Sequence, residues 1–310
     1  MKIFIGENIS CKLNYQYEYI YIQLANNFEI TKNVEEADKI VFVGTCATTE
    51  FHILDTLNYI NEVLERKKDG AKTYLTGCIT RNFIDDQKLN FVKDYLKNNI
   101  DYIIPHDKPN QLLKLVSKET FRNEDNDDFG YYNTYQNISK LYISNGCLNR
   151  CTFCKLTFQD YPLKSVKLEE IKNAINHINE IGIKNVIIFG TNISQYGLDL
   201  YKKYMLPDII DYIETKNNIK NVSLIGFSFK DAIKGNFKYS LKNSTKVKSL
   251  SGSLESGSDR LLKLINKGFT SQEIIDFATY INKDLYLNII AGFPTETIED
   301  VKITLKVLKN

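Results

Sequence analysis

Strand-like apolar runs alternate with amphipathic helical stretches along most of this chain, and that rhythm leaves few folds open. The first 120 residues carry KIFIGEN (2–8), KIVFVGT (39–45), KTYLTG (72–77) and YIIP (102–105). Between the second and third runs, Ile53, Leu54, Leu57, Ile60 and Leu64 fall at helical spacing, and another helix is expected over about 85–97. Strands separated by helices cannot pair through tight hairpins, so they should form a parallel sheet with helices on its faces. The stretch 122–137, RNEDNDDFGYYNTYQN, is acidic and Asn-rich and has no sustained period. The rhythm then resumes with KLYIS (140–144), NVIIFG (185–190), NVSLIGF (221–227), KVKSLSGSL (246–254) and LYLNIIAGF (285–293). Leu168, Ile171, Ile175, Ile178 and Ile181 share one helical face, and a last helix is expected from Thr297 to Leu308. The expected fold is therefore α/β: a Rossmann-like parallel-sheet domain over 1–120, a linker over 121–137 and a second βα domain over 138–310.

Composition narrows the function classes. The 310 residues are 43% hydrophobic and 25% charged, which at about 150 residues per domain suits two soluble domains. Fifteen Gly and five Pro are too few for a collagen-like or low-complexity chain. No run approaches the roughly 18 uncharged apolar residues of a membrane span, so no membrane partner is expected. The N-terminus turns polar after Ile5 and lacks a signal-like apolar stretch, which implies a cytoplasmic protein. Forty basic against 38 acidic residues leave +2, and only five of the basic residues are Arg. Composition thus lacks the basic excess that announces phosphate-backbone binding.

Six cysteines carry the chemical information: Cys11, Cys46, Cys78, Cys147, Cys151 and Cys154. In a reducing compartment they point to metal binding or catalysis before disulfides. NGCLNRCTFCKL places three of them within one short loop after a strand. Thiolates are the ligands of iron–sulfur clusters, and four saturate a four-iron cluster. Three leave one iron open, as a catalytic metal requires. A structural zinc site would want a fourth ligand nearby, and His52, His106 and His177 lack suitable spacing. Cys46 and Cys78 follow directly on two strands, and Cys11 follows shortly after the first. In a parallel sheet those ends share one edge, where ligands bind. The competing reading of this second trio is three buried core thiols.

The Cys147-x3-Cys151-x2-Cys154 spacing, with aromatic Phe153 before the last cysteine, resembles that of the radical S-adenosylmethionine (SAM) enzymes. More narrowly, the chain resembles the radical-SAM methylthiotransferases over nearly its whole length. The matching segments are Cys11-Lys12-Leu13-Asn14, Thr45-Cys46, Thr76-Gly77-Cys78, Gly190-Thr191-Asn192, Tyr196-Gly197-Leu198-Asp199, Leu254-Glu255-Ser256-Gly257-Ser258-Asp259 and Ala291-Gly292-Phe293-Pro294. This resemblance implies that the second domain is a partial (β/α) radical-SAM barrel. It implies two [4Fe–4S] clusters, one on Cys147, Cys151 and Cys154 that binds and cleaves SAM, and one on Cys11, Cys46 and Cys78 that supplies sulfur. It further implies that Phe153 lies near the adenine, that Gly190, Thr191 and Asn192 line the methionine end, and that Glu255 and Ser256 approach the ribose. An electron donor such as flavodoxin or ferredoxin is implied as a partner. The implied substrates are an N6-modified adenosine beside the anticodon of tRNA or a protein side chain.

The chain also departs from that family. The arginines usual around the serine after the third loop cysteine are missing; Lys164 and Ser165 stand there without them, and lysine cannot replace a bidentate arginine contact. Glu255 stands where the family has Gln. Five strands are expected in the second domain, one fewer than the family's six, and no counterpart of its small RNA-binding β-domain is found. The missing β-domain, with the near-neutral charge, weakens a tRNA substrate and raises a protein or peptide one, while the family's more frequent tRNA target stays ahead. A cobalamin-type radical-SAM enzyme and a non-catalytic iron–sulfur protein are alternatives. Against the first, the N-terminal domain has no Asp-x-His-x-x-Gly motif.

Overall fold

Strand β3 (Lys39–Thr45), buried at all seven positions, shows how the first sheet is built. Ile40 and Phe42 pack with Leu57, Ile60 and Val63 of the helix Glu50–Glu65 and with Val92 and Leu96 of the helix Asn90–Asn99. Val41 and Val43 face the opposite way, toward Ile20, Leu24 and the Leu112, Leu113 and Val116 side of the helix Pro109–Ser117. A strand covered on both faces is apolar at every position instead of every second one, hence the unbroken run in KIVFVGT. The computed structural model describes residues 1–7, 20, 21, 23–25, 27–45, 47, 50–80, 90–105, 108–117, 132–135, 137–154 and 162–309. It divides into two units, Met1–Gly130 and Tyr131–Asn310.

The first unit holds an all-parallel sheet of β1 (Lys2–Glu7), β2 (Glu29–Thr31), β3, β4 (Lys72–Gly77) and β5 (Tyr102–Ile103) in the order β2-β1-β3-β4-β5. The strand order reverses between β1 and β3. In such sheets the crevice beyond the carboxyl ends at this switch point is the ligand site. At that edge the backbones nearly touch. Gly77 has φ +113°, and a Cβ there would lie 2.4 Å from Thr45 Oγ1, whose hydroxyl donates to Thr76 O at 2.8 Å. Only glycine fits.

In the second unit, five parallel strands run in chain order: β7 (Ile138–Asn145), β9 (Asn185–Gly190), β10 (Asn221–Phe227), β11 (Val247–Glu255) and β12 (Asp284–Ile289). These are the five expected strands. Two short strands were not expected. β6 (Tyr132–Tyr135), within the stretch expected to be linker, and β8 (Lys164–Ser165) both pair antiparallel to β7. Asn-rich YNTY has no apolar alternation to announce a strand, because it lies at the sheet's edge. The α/β class and the five parallel strands of the second unit agree with expectation; the described β6 and β12 ends do not pair with each other. The helix Leu168–Glu180 buries Ile171, Ala174, Ile175 and Ile178, the apolar stripe read from the sequence. No described helix is long and apolar enough to cross a membrane.

The carboxyl ends of this sheet are irregular by design of the backbone. Register shifts fall at Tyr142/Ser144, Ile225/Phe227 and Ser253/Glu255, and such bulges re-aim side chains at strand ends. A Cβ on Gly226 (φ +83°) would come 2.1 Å from Gly190 O. Gly226→Ala should therefore destabilise this unit by at least about 2 kcal/mol, through contact and strain together. Gly182→Ala, at φ +76° with no atom within 4 Å, should cost roughly 1 kcal/mol, that of strain alone; denaturant titration of the two variants checks the contrast.

The last helix, Ile298–Val307, opens with a capping box between Thr297 and Asp300. Asp300 is buried and accepts from Arg260 and from Ser258 Oγ (2.6 Å). The Arg260 guanidinium, then the Ser258 and Thr297 hydroxyls, hold its carboxyl far below the usual range. A depressed carboxyl stabilises the fold above its unfolded value, near 4, and loses that contribution as pH falls toward its folded value. Acid unfolding below about pH 4 should accordingly be shallower in Asp300→Asn than in the parent, read by circular dichroism against pH.

Candidate functional site

Two sets of contacts hold the cysteine loop that follows β7. On its leading side, Leu148 N donates to Gln195 Oε1 at 2.7 Å, and Asn149 Nδ2 donates to Asp231 Oδ2 at 3.0 Å. On its trailing side, Thr152 N donates to Ile265 O at 3.0 Å and Thr152 Oγ1 to Leu264 O at 3.2 Å. Asn266, left-handed at φ 62° where it caps the helix Asp259–Ile265, donates its side-chain amide to Arg150 O at 2.8 Å. The loop is thus pinned by residues from beyond β9 and β10 and from the helix after β11.

The three thiols are half-buried and are not joined in disulfides. Cys147 Sγ accepts from Asn192 Nδ2 at 3.3 Å and from Asn149 N at 3.4 Å. Burial pushes the Cys147 thiol up, and those two donors pull it partly back. Burial raises Cys151 as well, opposed by the charge of Lys267. Each of these two thiols feels Cys154. The donor set, three thiols with N–H donors and a cation nearby, fits an incompletely ligated iron–sulfur cluster. Among the described residues, however, no three His, Cys, Asp or Glu side chains are drawn together closely enough to hold a metal as they stand.

Around the loop, Gly190 ends β9 where a Cβ would meet Ser144 O at 2.4 Å. Thr191 Oγ1 donates to Asn145 Oδ1 at 2.9 Å, which also accepts from Gly146 N. Asn192 is 3% exposed. Its amide nitrogen bridges Cys147 and Asp231, while its Oδ1 is buried without a hydrogen-bond partner among the described residues. Glu255 is buried at φ 68° and pairs with Lys267 at 3.5 Å. Ser256 is buried too, its hydroxyl within 3.2 Å of Thr304 Oγ1. Phe153 is 43% exposed on the loop's surface. Sequence reading missed Asn149, Gln195, Ser228, Asp231 and Lys267. Asp231 and Ser228 follow the end of β10, and that position on a parallel sheet was the signal available.

For the other trio, Cys78 lies in the turn Cys78–Thr80 beyond β4, partly buried against the Ile40, Phe42 and Ile79 cluster. Cys11 and Cys46 lie outside the described residues. The strands that precede them are described: β1 pairs β3 through Glu7 and Val43, and β3 pairs β4 through Thr45 and Gly77. The three cysteines therefore follow three neighbouring strand ends. Thr76 Oγ1, two residues before Cys78, is buried without a described partner.

Comparison with known proteins bears on the family and the fold. The pattern of the Radical SAM superfamily matches residues 141–308. The threonylcarbamoyladenosine tRNA methylthiotransferase MtaB of Aquifex aeolicus is 25% identical over 98% of this chain and 76% of its own length. The ribosomal protein uS12 methylthiotransferase RimO of Lachnoclostridium phytofermentans is 28% identical over 98% and 72%. The tRNA-2-methylthio-N(6)-dimethylallyladenosine synthase of a Sulfurovum species is 27% identical over 99% and 74%. Among solved structures, the radical SAM methyltransferase TsrM of Kitasatospora setae superposes with TM-score 0.62 at 11% identity, over 99% of this chain and 70% of that one. The cobalamin-dependent radical enzyme OxsB gives 0.59 at 15% identity, and this chain spans about half of its length. These two likenesses concern the fold.

The Lys267–Glu255 pair gives a direct test of the site's electrostatics. Its side chains are 11% and 8% exposed, so Lys267→Met leaves a buried carboxylate alone. That should cost about 3–5 kcal/mol, and adding Glu255→Gln should recover much of the loss in the same denaturation experiment.

Proposed function

Given that the chain belongs to the Radical SAM superfamily, we propose that it is a two-cluster methylthiotransferase that replaces a substrate C–H hydrogen with a methylthio group. The observation that carries this reading is the order of cysteines and strands along the chain: one trio follows β7 of the second sheet, and the other trio follows three neighbouring parallel strands of the first. Cys147, Cys151 and Cys154 follow β7, and Cys11, Cys46 and Cys78 follow β1, β3 and β4. Three thiolates leave one iron of a four-iron cluster open at each place. When bound at the β7 loop, a [4Fe–4S] cluster supplies the electron that cleaves SAM and so opens carbon-radical chemistry.

The remaining tasks fall on the chain's side chains. Asn192 Oδ1 accepts from the α-amino group of SAM. That amide cannot be reversed, because its nitrogen faces a carboxylate that only accepts. Lys267 favours the thiolate form of Cys151. Gly190 and Thr191 border the methionine end, Glu255 and Ser256 the ribose, and Phe153 the adenine. Cys11, Cys46 and Cys78 hold the sulfur-supplying cluster. A flavodoxin or ferredoxin supplies electrons.

The substrate we assign is an N6-modified adenosine beside a tRNA anticodon, following the relatives named for such products. A net charge of +2 and five Arg favour a second reading, a protein side chain, as in the relative named for uS12. Anaerobic reconstitution should load about eight irons per chain, and Cys151→Ala about four. Loading of about four in the parent, with Cys11, Cys46 and Cys78 still open to alkylation, sinks the two-cluster reading. Mass spectrometry of tRNA nucleosides and ribosomal proteins, with and without the protein, separates the substrates: an SCH3-for-H gain on adenosine supports the first, and one on a peptide the second.

A further inference from the structure

Lys184, Lys220, Lys246 and Lys283 each stand directly before one of the neighbouring parallel strands β9, β10, β11 and β12. Parallel strands begin at one edge, about 4.8 Å apart, so these lysines line the amino edge of the second sheet. The helices between the strands end at the same edge, and the carbonyls of a helix C-terminus attract cations. That accounts for two of the lysines. Lys246 is buried and donates to Ile213 O at 2.8 Å and Glu214 O at 3.1 Å, and Lys283 donates to Ser244 O at 2.7 Å. Lys184 and Lys220 are exposed, and their ammonium groups meet no carboxylate or carbonyl among the described residues. Burial, then the charges of Lys220 and Lys216, draw the Lys246 ammonium below its usual value, against the pull of Glu214. Cations held this close repel one another, so the fold itself gains nothing from the free ones.

The cations continue from this edge onto the flank formed by the helices Leu168–Glu180 and Leu206–Glu214. Lys216 and Lys172 stand 3.9 and 5.0 Å from the centre of the Tyr212 ring, whose hydroxyl donates to Asn176 Oδ1 at 2.8 Å across the two helices. The ring holds both ammonium groups in place. The 13 residues of the helix Leu168–Glu180 span about 20 Å, from the amino edge to the carboxyl edge. There Lys167 caps the helix and Lys164 pairs with Asn145 at the end of β7. Carboxylates beside this track are engaged: Glu214 by Ser244, Thr245 and Lys246 N, Asp208 by Lys203 at 3.7 Å, and Glu170 by Lys167 at 3.7 Å. Lysines offer phosphates point charges and lack the fork that reads base edges. The partner that suits such a track is a folded RNA, recognised through its backbone and shape.

We propose that the amino edge and this flank form an RNA-docking surface, on which Lys184, Lys220, Lys216 and Lys172 hold the phosphates of a stem whose loop reaches the carboxyl edge. The surface deepens the tRNA reading above and rests on it only for the identity of the RNA. A total charge of +2 does not oppose it, because docking depends on the local cations and not on the sum.

The test measures binding of an unmodified tRNA transcript to the full chain by fluorescence anisotropy over a range of salt concentrations. In the parent, affinity should fall steeply with salt as counterions are released from the phosphates. With Lys184→Gln, Lys216→Gln and Lys220→Gln combined, binding should weaken on the order of 10-fold at about 0.1 M salt, and the log–log salt slope should shrink by about 2 to 3. Lys220→Gln alone should reduce the slope by about 1, which answers the question if the triple variant does not fold. Glutamine at Lys32, Lys97 and Lys234, away from the surface, should change neither quantity. No binding by the parent, unchanged affinity and slope in the triple variant, or an equal loss in the control overturns the proposal. Loss of flavodoxin binding with RNA binding kept assigns the face to an acidic protein and overturns it too. Lysine-dependent RNA binding with an SCH3 gain found only on a peptide supports the surface and sinks the tRNA reading; a gain on tRNA with binding indifferent to these lysines does the reverse.

Discussion

Everything proposed for this protein depends on how a nine-residue loop is held still. Gly146–Cys154 has no regular structure, so its backbone groups must find partners elsewhere or remain unsatisfied. They find them in Gln195, Ile265 and Asn266, while the Asn149 side chain is anchored on Asp231. Those partners come from three different strand-to-helix connections, and the parallel sheet is what brings the connections to one edge. Removing the sheet's order would leave the cysteines close in sequence but undirected in space.

The same edge shows how backbone geometry is adapted to a site. Gly190, Gly226 and Gly252 sit where a Cβ would strike a neighbouring carbonyl oxygen within 2.5 Å. Their absence of side chains lets successive strand ends approach more closely than ordinary residues permit. Bulges in β7, β10 and β11 fall within a few residues of these glycines. Glu255, held at positive φ and buried with Lys267, belongs to the same group of local irregularities. Strain of this kind survives only where surrounding packing over-determines it.

Much of the fold was legible in the sequence because burial on both faces leaves an apolar run in β3 and β4, and deeper burial of one face leaves alternation in β9 and β10. Lys39–Thr45, Lys72–Gly77, Asn185–Gly190 and Asn221–Phe227 begin and end where the apolar pattern does. The short edge strands β2 and β6 were not legible, since an edge need not be apolar and three or four residues carry no period. In the site, Cys147, Cys151 and Cys154 were readable from spacing, and Asn192 through the family resemblance of Gly190-Thr191-Asn192. Asp231, Gln195 and Lys267 were not. Their roles arise from contacts across 36 to 82 positions with Asn149, Asn192 and one another or from an ion pair 12 residues apart, and no local pattern encodes such meetings. Ser256 reads as a site residue in sequence, yet its hydroxyl is engaged with the last helix through Thr304.

The pinning of the loop by distant partners has a consequence for maturation. Leu148 and Asn149 are oriented by groups 47 and 82 residues downstream, and Arg150 and Thr152 by groups more than 110 downstream. A nascent chain that has made only the loop has three thiols but no scaffold to direct them. Iron insertion must therefore wait until β11 and the helix behind it have docked, so that folding comes first and loading follows.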